Sequence, residues 1–206
     1  MGSERKAGLT REAERELVRQ SLDGDRSALR DLVDHHKDRL YAFIVKIVGH
    51  HHDTEEICQE AFLKAFSALD SFSTEYRFST WLFTIAYRVC LNAMRRRQAL
   101  TGDVDFTALP GTSQPDPSDQ TVETEDAREL KKVVWDAVDR LSGPQRAAII
   151  LFYRHSQSCQ EIAAILDIPV ATVKSHLHRA RARLREVIEQ EADRDMVARK
   201  LRFVAG

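Results

Sequence analysis

Apolar positions recur at helical spacing along most of this chain, and no stretch alternates as a half-buried strand would. The pattern predicts a first helix near Arg11–Leu22, stopped by Asp23-Gly24-Asp25, and a second from about Arg26 to Val48. In the second, Leu29, Leu32, Val33, Leu40, Phe43, Ile44, Ile47 and Val48 share one broad face, and Gly49 suits its C-terminal cap. Asp53 is placed to cap a third helix, with Glu56 three residues on, and Ile57, Ala61, Phe62, Ala65, Phe66 and Leu69 form its apolar stripe. After a loop over 70–78, Ser79 or Thr80 caps a fourth helix reaching about Gln98, whose core side is Leu82, Ile85, Ala86, Val89 and Ala93. Further helices are expected near 126–141, 144–155 (Pro144 in its first turn), 158–166 and 170–190.

The sharpest local signal spans 158–185. Ser158 and Glu161 have the spacing of a capping box, and Ile162, Ile165 and Leu166 make one stripe before Asp167-Ile168-Pro169 breaks the helix. The next helix buries Val173, Leu177, Ala180 and Leu184. It carries Lys174, Arg179, Arg181, Arg183 and Arg185, with no acidic residue between Thr172 and Arg185. A basic helix face alone is usually only solvated. Here cap, breaker, small-residue turn and one-signed charge coincide, which describes a helix-turn-helix that reads a major groove. Residues near the N-terminus of such a helix reach base edges. That selects Thr172, Lys174, Ser175, His176 and Arg179, with Ser175, His176 or Arg179 on bases and Lys174, Arg181 and Arg183 on phosphates.

A second nucleic-acid face lies on the fourth helix. Trp81, Thr84, Arg88, Asn92 and Arg95 fall on one stripe away from the core side, and the helix ends in Arg95-Arg96-Arg97. Stacking, hydrogen-bonding and cationic groups in one line suit single-stranded nucleic acid. In the loop before it, Phe72 and Phe78 are expected to tuck into the core, leaving Ser73 to Arg77 freer to meet a ligand.

Charge sharpens the division. The net charge is only −1, but residues 101–127 hold Asp103, Asp105, Asp116, Asp119, Glu123, Glu125 and Asp126 with no Lys or Arg. Setting those seven negative charges aside leaves the remainder at +6. Pro110, Pro115 and Pro117 lie there too, so the stretch reads as a linker between two all-helical blocks. No apolar run approaches the length of a membrane span, and the polar start lacks a signal-peptide core. Cys58, Cys90 and Cys159 are odd in number and scattered, which fits a reducing cytoplasm better than a disulfide framework or structural zinc. His50-His51-His52-Asp53, with His35 and His36, lacks convergent ligand spacing, and no nucleophile–base pair or phosphate-cradling loop is visible. The expectation is a non-enzyme without metal or cofactor.

In order along the chain, these motifs resemble the extracytoplasmic-function (group IV) sigma factors of bacterial RNA polymerase, over roughly 28–98 and 127–187. HHDTEEICQEAFLKAF is similar to the region-two motif that grips the polymerase clamp; FSTWLFTIAYRVCLNAMRRR resembles the helix that melts and reads the minus-ten element. The segment from Leu141 to Leu184 resembles region four, which reads the minus-thirty-five element. The resemblance implies an all-α protein of two small domains. Residues 1–98 would bind the clamp and the downstream element, 99–126 would thread the RNA exit path or merely tether, and 127–206 would read the upstream element. It further implies Asp53, Glu56, Gln59 and Glu60 on core polymerase (β and β′ subunits), and Trp81, Thr84, Arg88, Asn92, Arg95 and Arg96 on melted promoter DNA. Thr172, Lys174, Ser175, His176, Arg179 and Arg183 would meet duplex DNA, and an anti-sigma factor would regulate the chain. The sequence departs from the family's habit at Arg88 and Asn92 (usually Asn and Asp), Ala171 (Gly) and His176 (Arg), positions that bear on promoter sequence. Thr54 and Ile57 are milder departures.

Two other readings compete. A sigma-like decoy that only sequesters an anti-sigma factor would not need the basic recognition helix or Arg95–Arg97. A helix-turn-helix regulator acting without polymerase leaves the N-terminal block unexplained.

Overall fold

The computed structural model of the protein describes residues 9–49, 51–101 and 125–204, and every regular element among them is helical. The helices are α1 (Arg11–Leu22), α2 (Arg26–Val48), α3 (His51–Ser67), α4 (Phe78–Thr101), α5 (Glu125–Asp139), α6 (Gly143–Tyr153), α7 (Cys159–Leu166) and α8 (Val170–Val204), with a 3₁₀ turn at Leu69–Ser71. The acidic stretch 102–124 lies outside the described residues.

Local chemistry accounts for most boundaries. The Thr10 hydroxyl accepts from the Ala13 N–H and starts α1; the Asp25 carboxylate accepts from Ser27 N–H and starts α2. Gly49 ends α2 at φ 81°, a left-handed conformation that costs glycine little. The capping box of α7 forms in both directions, and Asp167 closes that helix in the left-handed region at φ 57°.

Three boundaries differ from expectation. Helix α3 begins at His51, so Asp53 lies inside its first turn and does not cap it. Helix α4 begins at Phe78, which puts Ser79 and Thr80 within the helix and buries both. Helix α8 continues to Val204, well past 190.

Helices α1–α4 form an N-terminal domain around Leu32, Leu40, Phe43, Ile44, Ile57, Ala61, Phe78, Leu82 and Ala86. Helices α5–α8 form a second around Leu141, Ile150, Leu151, Ile162, Val173, Leu177 and Ala180. Arg146 is the largest fully buried side chain; it donates to the carbonyls of Asp139 and Leu141 and so ties off the turn between α5 and α6.

The two domains close on each other, α4 against α7 and α2 against α6, and their apolar cores merge. The ring of His155, from the α6–α7 connection, packs 4.8 Å from Phe83 and 6.0 Å from Phe43. Arg39 Nη2 donates to the His155 carbonyl at 3.1 Å, and Lys46 Nζ, 3% exposed, lies 4.3 Å over the ring of Trp135.

Beneath α1, His36 is 3% exposed, with Nε2 3.5 Å from Glu14 Oε1. Burial, then the neighbouring His35, Arg39 and Arg77, depress its pKa to about 3. Burial raises the Glu14 carboxyl, partly offset by Arg77 and Arg39. Between the ordinary histidine value and about 3, the unfolded chain binds the His36 proton and the folded chain does not. Stability is therefore lost as pH falls through that window, at about 1.4 kcal/mol per pH unit for a fully shifted group. Glu14 works in the opposite sense, because its raised pKa favours the folded state less as pH climbs above 4.5. In urea unfolding, the wild type should lose about 1 kcal/mol more than His36→Gln between pH 7 and 5.5. Equal losses in the two proteins would show that His36 is not the group responsible.

Candidate nucleic-acid and polymerase interfaces

The rotation of α8 about its axis is set by Val173, Leu177, Ala180 and Val187, all buried, and by the half-buried Leu184. At about 100° per residue, Ser175, His178, Arg179 and Ala182 then fall opposite that stripe, and Lys174 and Arg185 fall on one shoulder. Lys174, Arg179 and Arg185 are exposed, and no described ion pair holds them. The other two cations of this face have partners. Arg181 Nε donates to the Tyr153 hydroxyl at 2.9 Å with its guanidinium against Phe152 and Tyr153, and Arg183 pairs with Glu186 at 2.7 Å. Thr172, Ser175 and His176 are half-buried. His176 lies on the flank with a buried Nδ1 that has no hydrogen-bond partner, and burial followed by the Arg179 charge lowers its pKa. His178, not singled out from sequence, is the histidine on the outward line. Its rotation by about 140° from Val173 was the available signal.

On α4 the expected stripe forms, but its members are unequally available. Trp81 is half-buried and packs with Phe72 and Phe78, ring centroids 5.4 and 5.7 Å away. The Thr84 hydroxyl donates to the Thr80 carbonyl at 2.9 Å. Arg88 is exposed and lies 3.9 Å from Asp167, in the turn of the helix-turn-helix. Asn92 and Arg95 are exposed, their side chains 3.4 Å apart.

The Arg95–Arg97 run divides. Arg96, expected with the stripe, turns instead to Glu60 at 3.5 Å; Arg97 Nη1 donates to Asp53 at 3.1 Å. Arginines at consecutive helical positions are about 100° apart, so the three could not share one face. On α3, Glu56 and Gln59 are exposed, whereas Glu60 lies between Lys64 (3.3 Å) and Arg96. The exposed apolar side chain on this helix is Leu63, one turn beyond Gln59.

Sequence reading missed the groups that join the two interfaces. Thr80, 1% exposed, donates to Gln157 Oε1 at 3.0 Å and stands 3.3 Å from Glu161 Oε1. Helix α1 also reaches the loop before α4: Arg11 Nη2 donates to the carbonyls of Thr74 (2.8 Å) and Glu75, and Arg15 Nη2 donates to Thr74 at 2.8 Å. The loop expected to be free is therefore tied along its backbone, although its side chains remain exposed.

A helix-turn-helix with outward cations, joined to a second all-helical domain, defines the class of helix-turn-helix DNA-binding proteins. Comparison with known proteins gives the family. Sigma-70 region 2 matches residues 32–100, and Sigma-70, region 4 matches residues 131–184. The ECF RNA polymerase sigma factor SigW of Bacillus subtilis is 34% identical over 178 residues, covering 82% of this chain and 93% of that protein. The ECF RNA polymerase sigma-E factor of Escherichia coli K12 is 32% identical over 170 residues, covering 80% and 88%. Among solved structures, the sigma factor RpoE of Bartonella quintana in complex with the anti-sigma factor NepR aligns with TM-score 0.63 and 25% identity, over 78% of this chain and 96% of that one. CnrH in complex with the cytosolic domain of CnrY, at 24% identity and TM-score 0.63, shares the fold over 86% and 98%. The chain belongs to the sigma-70 family, as an extracytoplasmic-function sigma factor.

The seam between the domains is open to a direct test. Thr80→Val and Gln157→Ala, 77 positions apart in sequence, should couple by about 0.5–1.5 kcal/mol in a double-mutant cycle of urea unfolding. Purely additive effects would mean that the two side chains do not meet in solution.

Proposed function

We propose that this chain joins core RNA polymerase through its β and β′ subunits and directs initiation at a particular set of promoters. The observation that carries the reading is the pairing, on one chain, of a helix suited to unstacked bases with a helix suited to a duplex. Residues 1–98 bind the clamp and the downstream element, 99–126 connect, and 127–206 read the upstream element. Glu56 and Gln59 lead the clamp contact, with Asp53 and Glu60 beside them exchanging Arg97 and Arg96 for polymerase cations. Trp81, Thr84, Arg88, Asn92 and Arg95 face the melted strand. Arg96, at the edge of that helix, serves phosphate or clamp. Arg179 and Ser175 supply base contacts with Thr172 and His176 flanking them, while Lys174 and Arg183 supply phosphate contacts.

The likeness to a sigma factor solved with an anti-sigma factor supports an anti-sigma partner here as well. The chain works in the cytoplasm, where polymerase and promoter are, and contributes no catalysis of its own. No described helix is long and apolar enough to cross a membrane.

Core polymerase with this protein should form heparin-resistant open complexes and runoff transcripts on a subset of a genomic promoter pool. Transcription identical to that of core alone would end the reading. Glu56→Arg, at an exposed position, should weaken core binding while circular dichroism and melting stay unchanged; retained affinity would remove α3 from the interface.

The recognition helix is tested by selection from a promoter library. Arg179→Ala should cost about 1–3 kcal/mol and relax preference at one base pair. Lys174→Ala should weaken all sequences alike and lower the salt slope by about one. If Arg179→Ala leaves both occupancy and sequence preference intact, α8 does not read the upstream element.

A further inference from the structure

Helix α1 lies before the segment matched to region 2 and holds the loop that leads into α4. The two ends of that loop are fixed by apolar packing. Phe78 is buried, and the Phe72, Phe78 and Trp81 rings meet at centroid distances of 5.4 to 5.8 Å. The tip from Ser73 to Arg77 has no such anchor: all five of its side chains are exposed, including the ring of Tyr76.

Arg11 and Arg15 hold this tip, donating to the carbonyls of Thr74 and Glu75. The third member of the arm is Glu14, 3% exposed, whose carboxylate accepts from the N–H of Phe78, the first residue of α4. That amide is one of the four donors that a helix N-terminus leaves without an intrahelical partner. Arginine side chains thus hold the tip's carbonyls while its own side chains face solvent.

We infer that Arg11, Glu14 and Arg15 are positioning residues for promoter melting: they hold the loop over 73–77 and the first turn of α4 in one arrangement before the unstacked strand arrives. The inference rests on the proposed role of α4 at the downstream element. Its physical basis is preorganisation. Five backbone residues already ordered in the free protein do not have to lose conformational freedom in the strand-opening step. The fold itself asks little of Arg11 and Arg15, because both are exposed and their hydrogen bonds are solvated. Their removal should appear in opening, with only a small loss of stability.

The test uses the full-length protein with core polymerase on a promoter carrying 2-aminopurine in the non-template strand of the downstream element. Wild type should give a fluorescence rise as bases unstack. The Arg11→Ala/Arg15→Ala double variant should lower the opening equilibrium about three- to tenfold, the change expected when one or two net hydrogen bonds are lost. Core affinity and upstream-duplex affinity should stay at wild-type values, and melting temperature should fall by no more than about 2–4 °C. Arg11→Lys/Arg15→Lys should restore opening, because an ammonium can also donate to the two carbonyls. Glu14→Gln, which keeps an oxygen to accept from Phe78, should open as wild type does, and Glu14→Ala should not.

Unchanged opening in the double alanine variant overturns the inference. So does a loss of core or upstream-duplex affinity that accounts for the loss of opening, or a failure of the lysine pair to rescue. A wild-type complex that gives neither fluorescence rise nor transcript overturns the downstream-element role itself, and this inference with it.

Discussion

Thr80 is buried at the place where the two domains meet, and its hydroxyl must find a partner there or forfeit the water it lost. It finds one in Gln157, from the connection between α6 and α7, with the α7 capping carboxylate of Glu161 beside it. The same carboxylate accepts from the Ser158 N–H, so the group that starts α7 also locates α7 on α4. A buried polar pair constrains geometry more tightly than the surrounding apolar contacts, because moving it by an ångström leaves an unsatisfied group at a cost of about 1–3 kcal/mol. Around it, His155 against Phe43 and Phe83 supplies area, and Arg39 supplies a second polar tie. Helix α4 thereby serves two cores at once: Leu82 and Ala86 belong to the N-terminal domain, while Phe83 and Thr80 meet the second.

A protein of net charge −1 keeps cationic faces by distributing its charge unevenly. Several cations are paired at short range: Arg19 with Glu16 and Asp23, Arg97 with Asp53, Arg96 and Lys64 with Glu60. Such exposed pairs contribute little to stability, about 0–1 kcal/mol each, but they leave the corresponding surface near neutral. Among the exposed cations without a described ion pair, Lys174, Arg179 and Arg185 all lie on α8. The field that this helix presents to a polyanion is set by such unpaired charge and not by the net composition.

Much of what is decided within one turn of chain was legible in the sequence. Gly49 and the Ser158–Glu161 box act on amides or carbonyls a few residues away, and α1 and α2 run as their patterns predict, although their Thr10 and Asp25 caps were not singled out. The stripes of α3 and α8 likewise follow from periodicity alone. What escaped depends on partners distant in sequence. Thr80 reads as a cap because Thr is a good capping residue, yet Gln157 and burial claim it. The first residue of α4 is held from outside, its Phe78 amide donating to Glu14, which no local pattern announces. The split of Arg95, Arg96 and Arg97 follows from helical rotation, but their partners Glu60 and Asp53 become visible only once α3 and α4 lie side by side. The pairing of the candidate clamp carboxylates with cations of α4 belongs to the same class.

The closed arrangement does not cover α4 evenly. At its N-terminal end, Thr80 is enclosed and Trp81 is half-buried among phenylalanine rings. At the rim, Arg88 meets Asp167 across 3.9 Å with both side chains largely exposed, an ion pair that salt and solvent weaken. Beyond it, Asn92 and Arg95 are open. If α4 meets the melted strand as proposed, a strand approaching from solvent reaches the C-terminal half of the stripe without disturbing the seam, and displaces only Asp167 to gain Arg88. Reaching Thr80 means separating α4 from α7, against an aromatic contact worth about 0.5–1.5 kcal/mol and hydrogen bonds worth about as much each. A ligand opens such a seam only by binding the open form more tightly than the closed one, by about tenfold for every 1.4 kcal/mol. Electrostatic capture at Arg95 and Asn92 can thus precede separation of the domains, because the charge is at the exposed end of the helix and the cohesion is at the buried end.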